Sequence, residues 1–128
     1  MLDLYSCPSC KQMILTVKPG SGQLVCCGKP MEHLDEKSAD TGKEKHLPFI
    51  ENIPGGIRVK IGGVPHPMEK DHYIHWVEVI GDDFLYTLTF KPGDAPVKEI
   101  SLAGPNPLSR VRKVRIFCNL HGAWSVRP

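Results

Sequence analysis

Cys118 and His121, in the segment Phe117-Cys-Asn-Leu-His-Gly122, place a thiol and an imidazole three residues apart, with His46, His66 and His72 upstream. One thiolate and four imidazoles form a five-donor set that suits iron better than a closed tetrahedral zinc site. Such a set leaves a sixth position open for a small substrate. An isolated Cys118 would read as a buried structural thiol, because Val114, Ile116 and Cys118 share one face of a strand; His121 three residues later shifts it toward a ligand. His46 and His66 each lie beside proline, in Leu47-Pro48 and Pro65-His66-Pro67, where restricted backbones can hold loop ligands in place.

A second set of donors crowds the amino terminus. Four of the five cysteines fall within the first 27 residues: Cys7 and Cys10 in Cys-Pro-Ser-Cys, then, after a 15-residue gap, Cys26 and Cys27 followed by Gly28. Without a secretion signal, that spacing reads as metal binding rather than disulfide bonding. The first pair forms a knuckle whose backbone amides can point at sulfur, and the second closes a tetrahedral four-sulfur site that takes zinc or a single iron. Because adjacent residues on a regular strand face opposite sides, Cys26 and Cys27 require a sharp turn, which Gly28 permits. Lys11, just past the first knuckle, stands where glycine would more easily take a left-handed conformation.

These donors need elements to position them. At 128 residues, 41% hydrophobic and 23% charged, the chain holds one ordinary domain and a small appendage. Residues 1–36 read as a metal-stapled hairpin, with a strand over 12–17, a turn at Pro19-Gly20-Ser21-Gly22 and a short strand over 23–25; residues 37–43 read as a linker. Over residues 44–128, short runs at 57–61, 73–80, 84–90, 97–102, 111–117 and 124–126 predict an antiparallel β-sandwich. No stretch is long enough to span a bilayer and Met1 to Ser6 is no signal peptide, so a cytoplasmic protein is expected. A net charge of +2 is too small by itself to imply a nucleic-acid partner, and none is expected: the run Arg110, Arg112, Lys113 and Arg115 reads as a strand with Lys113 and Arg115 on one solvated face.

Taken in order, Cys-x2-Cys, Cys-Cys-Gly, Glu44-Lys45-His46-x-Pro48, His66-Pro67-Met68-x3-His72-Tyr73-Ile74 and Cys118-Asn119-x-His121-Gly122 resemble the desulfoferrodoxins, the two-iron class of superoxide reductase. The resemblance implies a desulforedoxin-like domain with Cys7, Cys10, Cys26 and Cys27 around one iron, followed by an immunoglobulin-like sandwich domain. There His46, His66, His72 and His121 would be equatorial ligands of a second iron and Cys118 its axial ligand. It also implies reduction of superoxide to hydrogen peroxide, not dismutation, with electrons from a rubredoxin-like donor, and a homodimer. Lys45 would draw the anion in. Glu44 would close the sixth position after turnover, although on its own it reads as an exposed charge beside Lys43 or Lys45.

Two histidines are set aside. His75 lies three positions after His72, on the opposite face of a regular strand, and is expected to face solvent. His33 lies beside four available thiols and reads as a surface residue. Trp76, Trp124, Tyr73 and Phe117 are assigned to the sandwich core. The competing function is a colourless zinc-ribbon module fused to a sandwich and serving interaction or metal handling. Zinc in the ribbon with iron in the sandwich also stays open.

Overall fold

The computed structural model describes residues 2–38 and 45–128. Glu44 and most of the expected linker therefore lie outside the described residues. The chain divides into two compact units, Met1–Asp35 and Glu36–Pro128. The fold is mainly β, a small cysteine-bearing unit and a β-sandwich, as expected from the sequence.

In the first unit, β1 (Asp3–Ser6) pairs antiparallel with β2 (Met13–Thr16), and Leu4, opposite Leu15, is buried. A second hairpin joins β3 (Val25–Cys26) to β4 (Lys29–Pro30), and β5 (Glu32–His33) adds to the free edge of β1. The strand predicted over 12–17 thus pairs backward with the amino terminus rather than forward with residues 23–25, which correct to the start of a separate tight hairpin. The physical reason is the alternation Asp3-Leu4-Tyr5-Ser6, short but able to bury Leu4 against β2. Each cysteine pair consequently occupies a hairpin turn. In the second turn Cys27 and Gly28 both have positive φ, 53° and 70°, as a type I′ turn requires at its two central positions. In the first, Lys11 is at φ 67°, the left-handed conformation expected there.

The second unit carries β6 (Glu36–Lys37), β7 (Pro48–Ile53), β8 (Gly56–Ile61), β9 (Ile74–Gly81), β10 (Leu85–Thr89), β11 (Val97–Ser101), β12 (Val111–Cys118) and β13 (Gly122–Val126). One sheet has the order β10-β9-β12-β13-β6 and the other β11-β8-β7. Their inward faces meet in a core that includes Ile57, Val59, Ile61, Val77, Val79, Val114 and Ile116. Strand β7, missed in the sequence, opens on a proline and carries Glu51 and Asn52; it is an edge strand, where a missing N–H costs no ladder bond. A register shift between Phe117 and Cys118 pairs them with Trp76 and Ile74, so His75 is an extra residue in β9. That irregularity lets Ile74 and Val77, three apart, both face the core with no exposure.

The basic run behaves differently from expectation. Arg115 is not on a solvated face: it is 2% exposed, with Nε and Nη2 each donating at 3.1 Å to the carboxylate of Glu78, itself 2% exposed, and Nη1 donating at 2.9 Å to Glu36. Lys113 pairs with the same Glu36, Arg112 with Asp82 and Arg110 with Asp83. Cross-strand acids, invisible to a linear reading, neutralise the run.

Candidate metal centres

The five donors of the second unit come from four separate places in the chain. His46 stands two residues before β7, His66 in the loop after β8, His72 two residues before β9, Cys118 at the end of β12 and His121 in the β12–β13 turn. Antiparallel pairing puts these strand ends together at one end of the sandwich. Backbone bonds fix the loops: Gly62 N–H donates to Leu47 O at 3.0 Å, His66 N–H to Ile61 O at 3.2 Å, and Glu69 and His72 exchange a pair of bonds at 2.9 and 3.2 Å. A Cβ on Gly62 would lie 2.5 Å from Lys45 O, so glycine is what allows the His46 segment to pass this close to the end of β8.

The ligand atoms of His46, His66, His72, Cys118 and His121 all lie within 4.8 Å of one another. The four imidazoles close a cycle: ring centroids are 4.8 Å apart from His46 to His66, 4.9 Å to His72, 5.1 Å to His121 and 4.8 Å back to His46. Every neighbouring pair meets edge to face, with interplanar angles of 64° to 82°. The thiol of Cys118, fully buried in the core cluster, is 3.7 Å from His121 Nδ1.

The donor set fits a metal ion. His66 Nε2 and His72 Nε2 are buried without a hydrogen-bond partner, an arrangement that costs free energy unless an electrophile is bound. His46 Nε2 and His121 Nδ1 are 3.0 Å apart, and two imidazole nitrogens about 2.1 Å from one ion at a right angle would be separated by about 3.0 Å. Tautomers are set from outside the cluster: His66 Nδ1 lies 2.7 Å from Pro67 O, which directs its Nε2 inward. Burial, opposed by that hydrogen bond, pushes the His66 pKa down to about 4, so its lone pair is available at neutral pH.

In the first unit, Cys7, Cys10, Cys26 and Cys27 are free thiols whose sulfurs lie within 4.8 Å of one another. Cys10 Sγ is 3.6 Å from Cys26 Sγ, which is 4.0 Å from Cys27 Sγ, close to the ~3.8 Å edge of a tetrahedron with bonds of about 2.3 Å. The Cys10 N–H donates to Cys7 Sγ at 3.4 Å, and this bond lowers the Cys7 pKa to about 6. Cys26 moves the other way, raised by its contacts with Cys7 and Cys10. A cluster that holds one thiolate readily and resists further ones is suited to a cation that supplies the missing positive charge.

Lys45, directly before His46, is half-buried. His33 is exposed and bonded at 2.9 Å to Asp35 and 3.3 Å to Asp3, outside both clusters. His75 is likewise outside them, but it does not face solvent: its ring is half-buried, stacked on Tyr73 at 4.3 Å and edge-on to Phe117. Trp124 does lie in the core, and its indole also stacks on His46 at 4.6 Å and 10°, a role that a core assignment alone does not reveal.

Asn119, named in the sequence only as part of the Cys118–Gly122 motif, has a role there that its pattern did not assign. Its Oδ1 accepts the Tyr73 N–H at 3.0 Å and its Nδ2 donates to Asp71 O at 2.8 Å, so one side chain grips both neighbours of His72. It thereby ties His72 to the loop carrying Cys118 and His121. Asn119→Ala is expected to weaken metal binding at this centre by about 10- to 100-fold, checked by the rate of metal loss to a chelator. The clue was its position between the two loop ligands, where asparagine commonly bonds nearby backbone.

The family model described as Desulfoferrodoxin matches residues 38–127, and that described as Desulfoferrodoxin, N-terminal domain, matches residues 1–34. The chain is 46% identical over 122 residues to a desulfoferrodoxin homolog of Methanothermobacter thermautotrophicus, covering 95% of each. It is 46% identical over 124 residues to the desulfoferrodoxin of Syntrophotalea carbinolica, covering 97% of this chain and 94% of the relative. Among solved structures it is similar to the superoxide reductase from Treponema pallidum, with a TM-score of 0.79, 26% identity, and coverage of 99% and 98% of the two chains.

Proposed function

We propose that this chain, which belongs to the desulfoferrodoxin family, is a superoxide reductase holding two iron ions. The observation that carries the reading is the closed cycle of four imidazoles with a buried thiol as fifth donor. His46, His66, His72, Cys118 and His121 would hold the catalytic iron; Cys7, Cys10, Cys26 and Cys27 would hold the other. Iron held by these five donors would supply one electron and a position for the anion.

The chain's own groups do the rest. Four neutral imidazoles and one thiolate would leave a ferrous ion with a net charge of about +1, which would keep the site attractive to superoxide. Cys118 belongs to the buried core cluster, and a small anion is proposed to reach the imidazole cycle from the side away from that core. Lys45, directly before His46, is proposed to add positive charge beside the site, with water in its neighbourhood supplying protons. The balance is one superoxide, one electron and two protons to one hydrogen peroxide. Glu44 is proposed to cover the open position between turnovers. A rubredoxin-like donor would return the electron, with the four-thiolate centre as relay, and the working form would be a cytoplasmic homodimer. Among the described residues no helix is long and apolar enough to cross a membrane.

Metal analysis with visible spectra tests the assignment first: iron bound at both centres gives thiolate-to-iron absorption from each, whereas a zinc-only interaction module is colourless. Pulse radiolysis then tests steering. Lys45→Ala is expected to lower the second-order rate constant with superoxide by about tenfold and to flatten its ionic-strength dependence. A variant that keeps both the rate and its salt slope would remove Lys45 from the mechanism.

A further inference from the structure

Strand β6 has only two residues, yet each makes a specific long-range contact. It pairs in parallel with β13, Glu36 opposite Ala123 and Lys37 opposite Trp124. Glu36 joins Lys113 and Arg115. Lys37, on the other face of the strand, reaches the metal-donor end of the sandwich. Its Nζ donates to the backbone oxygen of His121 at 2.8 Å and lies 4.9 Å from the centroid of the Trp124 ring. The same indole is stacked on His46 at 4.6 Å. The imidazole fills one face of Trp124, which leaves the opposite face for the ammonium.

We propose that Lys37 is a positioning residue of the five-donor centre, clamping His46 through Trp124 and His121 through its carbonyl with a single ammonium. These two histidines are neighbours in the imidazole cycle, with Nε2 and Nδ1 only 3.0 Å apart. Their separation is therefore set by a group that contacts neither ring nitrogen. The clamp also places a fixed positive charge behind two ligands, which disfavours the oxidised, more positive form of a bound iron. A sequence reading assigns Lys37 to the linker, because nothing local marks a lysine between Glu36 and Ser38 as reaching a backbone oxygen 84 positions away.

The inference rests on His46 and His121 holding metal, and its test does not use superoxide. In iron-loaded full-length protein, Lys37→Met is expected to shift the oxidation equilibrium of the five-donor centre about tenfold toward the oxidised form, about 59 mV lower for a one-electron couple. Metal loss to a chelator from that centre should also be about tenfold faster. The four-thiolate centre, read in the same titration, should stay where it was, and Lys37→Arg should restore both quantities. Should Lys37→Met fail to fold, Lys37→Gln carries the same readouts. The proposal is overturned if the potential and the release rate stay within twofold of wild type, if only the urea midpoint falls, or if Lys37→Arg behaves like Lys37→Met. Iron bound with its thiolate band but no reaction with superoxide would instead refute the proposed function and leave the clamp standing.

Discussion

Replacing Cys118 with serine is expected to lower the superoxide rate constant by more than about 100-fold, since even ligand-orienting neighbours are worth 10- to 100-fold at metal sites. It should also abolish the visible absorption of one centre and leave that of Cys7, Cys10, Cys26 and Cys27 intact. Cys118 is the one donor of its set that would bind a metal as an anion, and it is fully buried. A serine hydroxyl stays protonated near neutral pH, so the substitution removes both the negative charge and the electron donation of the thiolate while barely changing volume. The fold should tolerate it. Burying a hydroxyl in place of a thiol costs about 1–3 kcal/mol, and His121 Nδ1, 3.7 Å from the thiol, remains nearby as a polar neighbour. Cys118→Ala should match the serine variant in rate, because neither supplies a thiolate. Retention of both absorption bands together with a rate within tenfold of wild type would show that the buried thiol is structural and that the electron comes from a differently ligated iron.

Much of this site was legible because metal chemistry restricts residue type. Cys118 and His121 announce themselves by three-residue spacing, and the prolines beside His46 and His66 mark candidate ligands in stiff loops. What could not be read locally is everything that depends on cross-strand neighbours. The amphipathic strand Asp3–Ser6 was too short for its alternation to stand out, so the first hairpin was assigned to the wrong partner. His75 was placed in solvent by counting along a regular strand, and an irregularity in β9 changes both the phase and the surroundings. Arg115 failed for a different reason: its sequence neighbours are basic, and the acids that bury it come from β9 and β6, 37 and 79 positions away. Asn119 and Lys37 act on donors through backbone oxygens, a kind of contact that no side-chain pattern encodes.

Arg115 also carries the largest expected effect on stability. Arg115→Met should destabilise the protein by about 3–5 kcal/mol, because it leaves the Glu78 carboxylate buried without its partner. Both side chains are only 3% exposed, and Arg115 and Glu78 are direct register partners on β12 and β9. The pair as a whole need not be stabilising, since desolvating two charges offsets most of their attraction. The double variant Arg115→Met with Glu78→Leu is therefore expected to recover most of the loss in a urea titration of the metal-loaded chain. A single-variant cost below about 1 kcal/mol would mean that water reaches Glu78. Acid should imitate part of the defect. Burial alone would raise the Glu36 pKa, but hydrogen bonds from Lys113 and Arg115 outweigh it and hold it below the usual 4.5. Its folded-state pKa being depressed, Glu36 contributes stability that is present above pH 4.5 and lost as pH falls through the lower folded value. Glu36 and Lys37 make up all of β6, so releasing Glu36 loosens the strand that presents Lys37 to Trp124 and His121. Arg115→Met should accordingly speed metal loss from the five-donor centre, an effect on the site from a residue that touches none of its ligands.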